Sequence, residues 1–187
     1  MDIQPIWLRY GIYYGLVSIV FSLLSYYVMP FGFGMQILIG LVIMTAFLIL
    51  SGKAQRNENR DIMSYGEALK TTFLTGFSGS AISVLFSIIL INLIDPGLTE
   101  KLAEMSVDAA RSMMETFKMP EDQMAEALEK TEEQSLDAFT PLKQLLNLFQ
   151  VAILVLIVSA IVSIFLKKEE DITKINIKDI GNQDLSQ

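Results

Sequence analysis

The chain alternates long uncharged stretches with shorter polar ones. Residues 10–52 contain no Asp, Glu, Lys or Arg over 43 positions. Residues 71–94 form a second uncharged run of 24, and residues 144–166 a third of 23. A membrane-crossing helix needs about 20 apolar residues to traverse about 30 Å of hydrocarbon. The first run therefore has the length of two crossings, and MPFGFG at 29–34 supplies the Pro and Gly of a turn between them. The pattern predicts four spans, roughly 8–28, 35–50, 71–94 and 142–166.

Between spans three and four the period changes. Leu98, Leu102, Met105, Ala109, Met113 and Phe117 recur at helical spacing, and Met124, Leu128 and Leu136 continue an apolar face. Asp95-Pro96 ends span three, because Pro cannot continue the ladder and disfavours helix at the residue before it. Asp95 is then expected to cap a new helix, with Pro96 at its first position. Met119-Pro120-Glu121-Asp122 restarts a helix, with acids near its positive end. Thr140-Pro141 opens span four. The predicted fold is all-α: an integral-membrane four-helix bundle with an acidic extracytoplasmic helical hairpin between spans three and four. Its parts are 1–52 (spans one and two), 53–70 (a basic linker and the start of helix three), 71–94, 95–141 (the acidic segment), 142–168 and a polar tail, 169–187.

Small residues mark the faces expected to pack. Span one carries Gly11, Gly15, Ser18, Ser22 and Ser25, and span three carries Thr72, Gly76, Gly79, Ser83 and Ser87. In hydrocarbon, helices associate by close packing, and small residues permit close approach. Spans one and three are therefore expected to pack together; a pore lined by hydroxyls is the functional alternative. At the start of helix three, Ser64-x-x-Glu67 reads as a capping box, with Met63 stapling against Ala68. Lys70 follows, where a lysine snorkels to headgroups. Gln36, Asn92, Asn147 and Gln150, with Ser22 and Ser25, form a candidate polar layer near one membrane surface. Interhelical hydrogen bonds that fix register explain it; a shallow pocket for a ligand or lipid headgroup is the other reading.

Charge sets the orientation. The net charge of −7 hides an asymmetry. Lys53, Arg56, Arg60 and Lys70 lie in the second connection, and Lys167 and Lys168 follow span four. Residues 95–143 hold twelve acidic and five basic residues. Basic residues favour the cytoplasmic side. Both termini and the 53–70 linker are therefore expected in the cytoplasm, with the acidic segment outside. The aromatic residues Trp7, Tyr10, Tyr13 and Tyr14 flank one end of span one, and Tyr26, Tyr27, Phe31 and Phe33 the other. Tyr10 to Tyr27 spans about 26 Å at 1.5 Å per residue. The first run is too long for a cleaved leader and lacks an Ala-x-Ala-like site, so a retained helix is expected.

The chemistry on offer is sparse. There is no Cys and no His, which removes thiolate chemistry, the usual neutral-pH base and the commonest metal ligand. No ionisable group falls at membrane depth, which argues against proton-coupled transport and intramembrane proteolysis. Met105, Met113, Met114, Met119 and Met124 suit Cu(I), but without Cys, His or a tight Met-x-x-Met run they read as a plastic apolar face. The carboxylates lack a calcium-loop spacing and read as a solvated face. Glu67 and Asp95, the best-placed acids for lipid chemistry, have structural explanations. No cofactor, no metal and no enzymatic activity are expected. The expected partners are the lipid bilayer and a homo-oligomer or membrane-protein partner, not nucleic acid. The tail from 172 to 187 has isoleucines at 172, 175, 177 and 180, which fit neither period; disorder and a strand formed on a partner both stay open.

Several pieces, in this order, resemble a known family. They are Tyr10-Gly11 with Gly15, then Ser64-Tyr65-Gly66-Glu67-Ala68-Leu69-Lys70, Gly76, Ile94-Asp95-Pro96 and Ile164-Phe165-Leu166-Lys167-Lys168. The chain over about residues 6 to 168 resembles the domain of unknown function 4199 family, small four-span membrane proteins of Bacteroidota-type bacteria. The resemblance implies a multi-pass inner-membrane protein and carries no catalytic residue.

Overall fold

The computed structural model describes residues 4–28 and 32–168. The tail from 169 and part of the turn at 29–34 lie outside the described residues. Six α-helices follow one another: α1 (Ile6–Tyr27), α2 (Phe33–Glu58), α3 (Tyr65–Ile89), α4 (Leu98–Thr116), α5 (Glu121–Ala138) and α6 (Pro141–Leu166). Four segments are long and apolar enough to cross a membrane: Ile6–Tyr27, Gly34–Glu58, Tyr65–Ile94 and Pro141–Leu166.

Local chemistry sets the helix ends. Pro5 precedes α1, and its carbonyl accepts from the amides of Leu8 and Arg9. Helix α2 runs to Glu58, beyond the apolar run, because Lys53, Ala54, Gln55 and Arg56 are good helix formers with no breaker among them. It stops where Arg60 and Asp61 adopt left-handed φ values of 55° and 66°. The Asp61 amide then bonds the Arg56 carbonyl at 2.9 Å, the long bond of a Schellman turn made without glycine. The same device ends α4: Lys118 has φ 53°, and the Met119 amide reaches the Met114 carbonyl at 3.0 Å.

Two expected ends differ. The last turn before Asp95 widens to a π-helical segment, Leu90–Ile94, closed by the Asp95 amide on the Leu90 carbonyl at 2.7 Å. Asp95 does not cap α4. Gly97 holds that position and the helix begins at Leu98. The Asp95 carboxylate instead accepts from the Tyr27 hydroxyl at 2.6 Å and so ties α1 to α3. Pro120 likewise sits at the cap of α5 rather than inside it.

Helix α3 is the hub. Helices α1, α2 and α6 each pack along it, and α2 also meets α1 and α6. Two separate apolar cores result. One lies toward the end that carries loop 59–64, here the linker end, and gathers Met44, Leu48, Met63, Val155, Val162 and Leu166. Leu48, Met63 and Val155 are wholly buried there. The other lies at the hairpin end, where Leu90, Ile91, Leu98 and Leu102 seat the root of α4 against Tyr26 and Phe86. Helix α4 pairs with α5 along its length.

Candidate functional site

The small residues of α1 and α3 do three different jobs. Gly11, Gly15 and Gly79 form the α1–α3 seam: a Cβ on Gly15 would stand 3.1 Å from the Gly79 carbonyl oxygen and 2.9 Å from Ile82. Thr72 and Gly76 face elsewhere. Gly76 lies under Val155 of α6 and Leu48 of α2, and Thr72 Oγ1 meets Ser163 Oγ of α6 at 3.3 Å. Thr72 also donates back to the Ala68 carbonyl at 2.8 Å, which satisfies its hydroxyl within its own helix. Ser18, Ser22 and Ser83 line a cavity.

That cavity sits between the two cores and has a volume of about 480 Å³. Helices α1, α2, α3 and α6 all contribute walls, with Gly40 and Met44 from α2 and Val151 from α6. Its wall is largely aliphatic, with hydroxyls along the α1–α3 side. The Tyr14 hydroxyl lies beside Ser80 and Ser18 there. A second chamber of about 300 Å³ shares Ser22, Ser83 and Val84 with the first and continues toward the hairpin end. Ser87, Gln144, Asn147 and Phe139 complete it. The Ser83 hydroxyl, at the junction, is buried and has no hydrogen-bond partner among the described residues. Cavities of roughly 300–1,000 Å³ with few polar groups are typical ligand sites.

The predicted polar layer is not assembled as one. Asn92 is exposed and its amide donates to the Ile88 carbonyl of its own helix at 2.9 Å, since the π-helical turn swings it outward. Gln150 is exposed too. Gln36 lines the larger chamber and Asn147 the smaller. Ser25 is buried without a hydrogen-bond partner among the described residues. The buried amide of α6 is Gln144, whose side chain donates to the Phe139 carbonyl at 2.8 Å. Sequence reasoning missed Gln144, Gly40 and Tyr14. Gln144 opens the third uncharged run, and Gly40 stands outside both small-residue stripes; those were the available signals.

The capping box at α3 is formed. The Glu67 amide donates to Ser64 Oγ at 3.3 Å, and the Ser64 amide to Glu67 Oε2 at 3.0 Å. This occupies the Glu67 carboxylate with its own helix start. Just before it lies a latch that joins distant parts of the chain. Met63 and Lys168 exchange both backbone hydrogen bonds at 2.9 Å, which pins loop 59–64 to the end of α6. The Lys168 ammonium contacts the Asp61 carboxylate, and Arg56 pairs with it at 3.0 Å. The Lys168 hydrogen bond, with Arg56 alongside, holds the Asp61 carboxyl below its usual range. Lys70 is exposed beyond the capping box.

At the other end, Lys101 donates to the Tyr26 carbonyl at 2.6 Å and fixes the root of α4. The acids of the hairpin are spread: Lys130 pairs with Glu126 and Lys143 with Asp137. No grouping of three or more metal-type ligands occurs among the described residues. Comparison with curated proteins and with solved structures returns no match. Four helices of this chain are long and apolar enough for a multi-pass membrane protein; the family described as Protein of unknown function (DUF4199) matches residues 9–168, and the chain belongs to that family.

Proposed function

We propose that this chain is a multi-pass inner-membrane protein that acts without catalysing a reaction, through contacts between helices and through its hairpin. An accessory, assembly or envelope role fits this reading. Both termini and the 53–70 linker face the cytoplasm, and the acidic hairpin faces outward, a reading supported by the basic residues near the span ends. The supporting observation is the posture of the hairpin. Its root is seated in the core around Leu90 and Leu102, while Met113 and Phe117 further along α4 remain 63% and 74% exposed. An anchored helix pair that keeps large apolar side chains uncovered offers a contact surface. A photo-crosslinker placed at Phe117 in native membranes is expected to trap one discrete partner or a second copy of the chain. Recovery of monomer alone at native expression counts against the reading.

A second reading is a small channel or transporter, supported by the hydroxyl-lined chambers. Opposing it, Leu48 and Val155 are 0% exposed and close the bundle toward the linker end. Liposome flux that responds to Asn147→Leu, but not to the outward-facing Asn92→Leu, would favour it. Absence of flux for every tested solute would sink it.

A further inference from the structure

Gly40 is a glycine well inside a helix that packing does not explain; Gly34 and Gly66 also lack a neighbour but stand in the first turns of α2 and α3. Gly11, Gly15, Gly52, Gly76 and Gly79 each have a neighbouring atom where a Cβ would stand. Gly40 has none within 4 Å, yet it lies in the middle of α2 and lines the larger chamber. A mid-helix glycine costs helix stability relative to alanine, and here no helix contact offsets that cost. What its missing side chain leaves is room in the cavity.

Three further observations describe an occupant. The Ser83 hydroxyl is buried and unpartnered where the two chambers join. Such a group is costly to leave unsatisfied in an apolar setting. No Asp, Glu, Lys or Arg lines either chamber, so neither a charged head nor a counter-ion is provided for. The walls are graded: mostly apolar in the larger chamber, whose hydroxyls are confined to the α1–α3 side, and proportionally richer in Ser and amide groups in the smaller one near the hairpin end. The larger chamber is open on the flank of the bundle: Ile37 and Leu41 line it and remain exposed, so access in a bilayer is lateral.

The larger chamber of about 480 Å³ and the smaller one of about 300 Å³ share Ser22, Ser83 and Val84, so one flexible chain can reach from the aliphatic wall to the amide-bearing one.

We propose that the two chambers bind one neutral, single-chain amphiphile of the bilayer. Its hydrocarbon chain occupies the space beside Gly40, and its uncharged hydroxyl or ester head lies near Ser83, Ser87 and Asn147. The proposal rests on the membrane placement of the bundle and not on the partner-binding role of the hairpin.

The test uses the full chain in lipid nanodiscs with a photoactivatable monoacylglycerol that carries a diazirine in its chain. Adducts are expected on residues 37–44 and 83–84, saturable and competed by unlabelled monoacylglycerol. Gly40→Leu, which fills the chamber without meeting another residue's atoms at its Cβ, is expected to lower labelling at least tenfold; Gly40→Ala is expected to keep most of it. Ser83→Ala is expected to weaken competition roughly fivefold, about one hydrogen bond's worth. A photoactivatable lysophosphatidylglycerol is expected to label the same residues at least tenfold less. Non-saturable labelling spread equally over exposed positions such as Leu93 and Phe165 would overturn the proposal. So would full labelling of folded Gly40→Leu, or equal affinity for the anionic probe. If Gly40→Leu fails to fold, saturation, the adduct map and Ser83→Ala decide the matter. A crosslink captured at Phe117 has no bearing on any of these outcomes.

Discussion

A methyl group added at Gly79 would stand 2.8 Å from the Gly11 carbonyl oxygen and would strike the ring of Tyr14. Both obstacles belong to α1, and one is backbone, which cannot rotate away. Helix α1 must retreat by about 0.6 Å to restore ordinary contact. A gap of that size forfeits a quarter to a half of the dispersion energy along the seam. Overpacking of this kind costs about 1–3 kcal/mol, while the better helix propensity of Ala returns up to about 1 kcal/mol. Gly79→Ala is therefore expected to destabilise the protein by about 1–2 kcal/mol. Gly40→Ala provides the contrast. With no neighbour within 4 Å of its Cβ, it is expected to gain the propensity term alone, about 0.5–1 kcal/mol. The two substitutions are chemically identical and both lie inside helices, so the propensity gain cancels and their difference of about 1–3 kcal/mol reports the seam. Reversible unfolding in mixed micelles, followed by circular dichroism and by the single Trp7 on α1, measures both. If Gly79→Ala proves as stable as Gly40→Ala, α1 does not rest on α3 as described.

Other outcomes follow from the same geometry. Ser64→Ala removes the acceptor for the Glu67 amide and is expected to cost about 1 kcal/mol in the same unfolding assay; no change would mean that the box contributes nothing. Thr72→Val loses the 3.3 Å approach to Ser163 but keeps the shape, so a loss of about 0.6 kcal/mol is expected, and a loss above about 2 kcal/mol would reveal a larger polar network. Because folding lowers the Asp61 carboxyl pKa, its contribution is complete above the unfolded value of about 3.9 and disappears as pH falls through the lower folded value. Melting temperature measured from pH 7 to pH 3 is expected to fall less steeply at the acid end in Asp61→Asn than in the parent protein; parallel curves would remove the latch from the account.

The spans were legible because the bilayer imposes one requirement: about 20 residues without charge. The capping box was legible for a similar reason, since Ser64 and Glu67 satisfy each other within a single turn. Partner choice was not. Periodicity shows that Thr72, Gly76, Gly79 and Ser83 share a helix side, but not that they divide among α1, α6, α2 and a cavity. Asn92 reads as a buried amide from its depth in the run, yet the π-helical turn, set by a single bond between Asp95 and Leu90, turns it outward. The latch between Met63 and Lys168 joins segments over a hundred residues apart, and no local pattern announces it. Gln144 is buried and Gln150 exposed; both are amides on one apolar helix, but six residues place them about 120° apart around it, and an all-round apolar helix does not announce which face is inward.

The arrangement of the four spans is the claim from which the rest follows, and the chain's lack of cysteine makes it directly measurable. Single cysteines placed at Asn57, beside the latch, and at Glu126, on α5, are to be labelled with a membrane-impermeant maleimide in intact cells and again after permeabilisation. The account predicts labelling at 126 in intact cells and at 57 only after permeabilisation. Labelling of 57 from outside, or of both positions together, would contradict it.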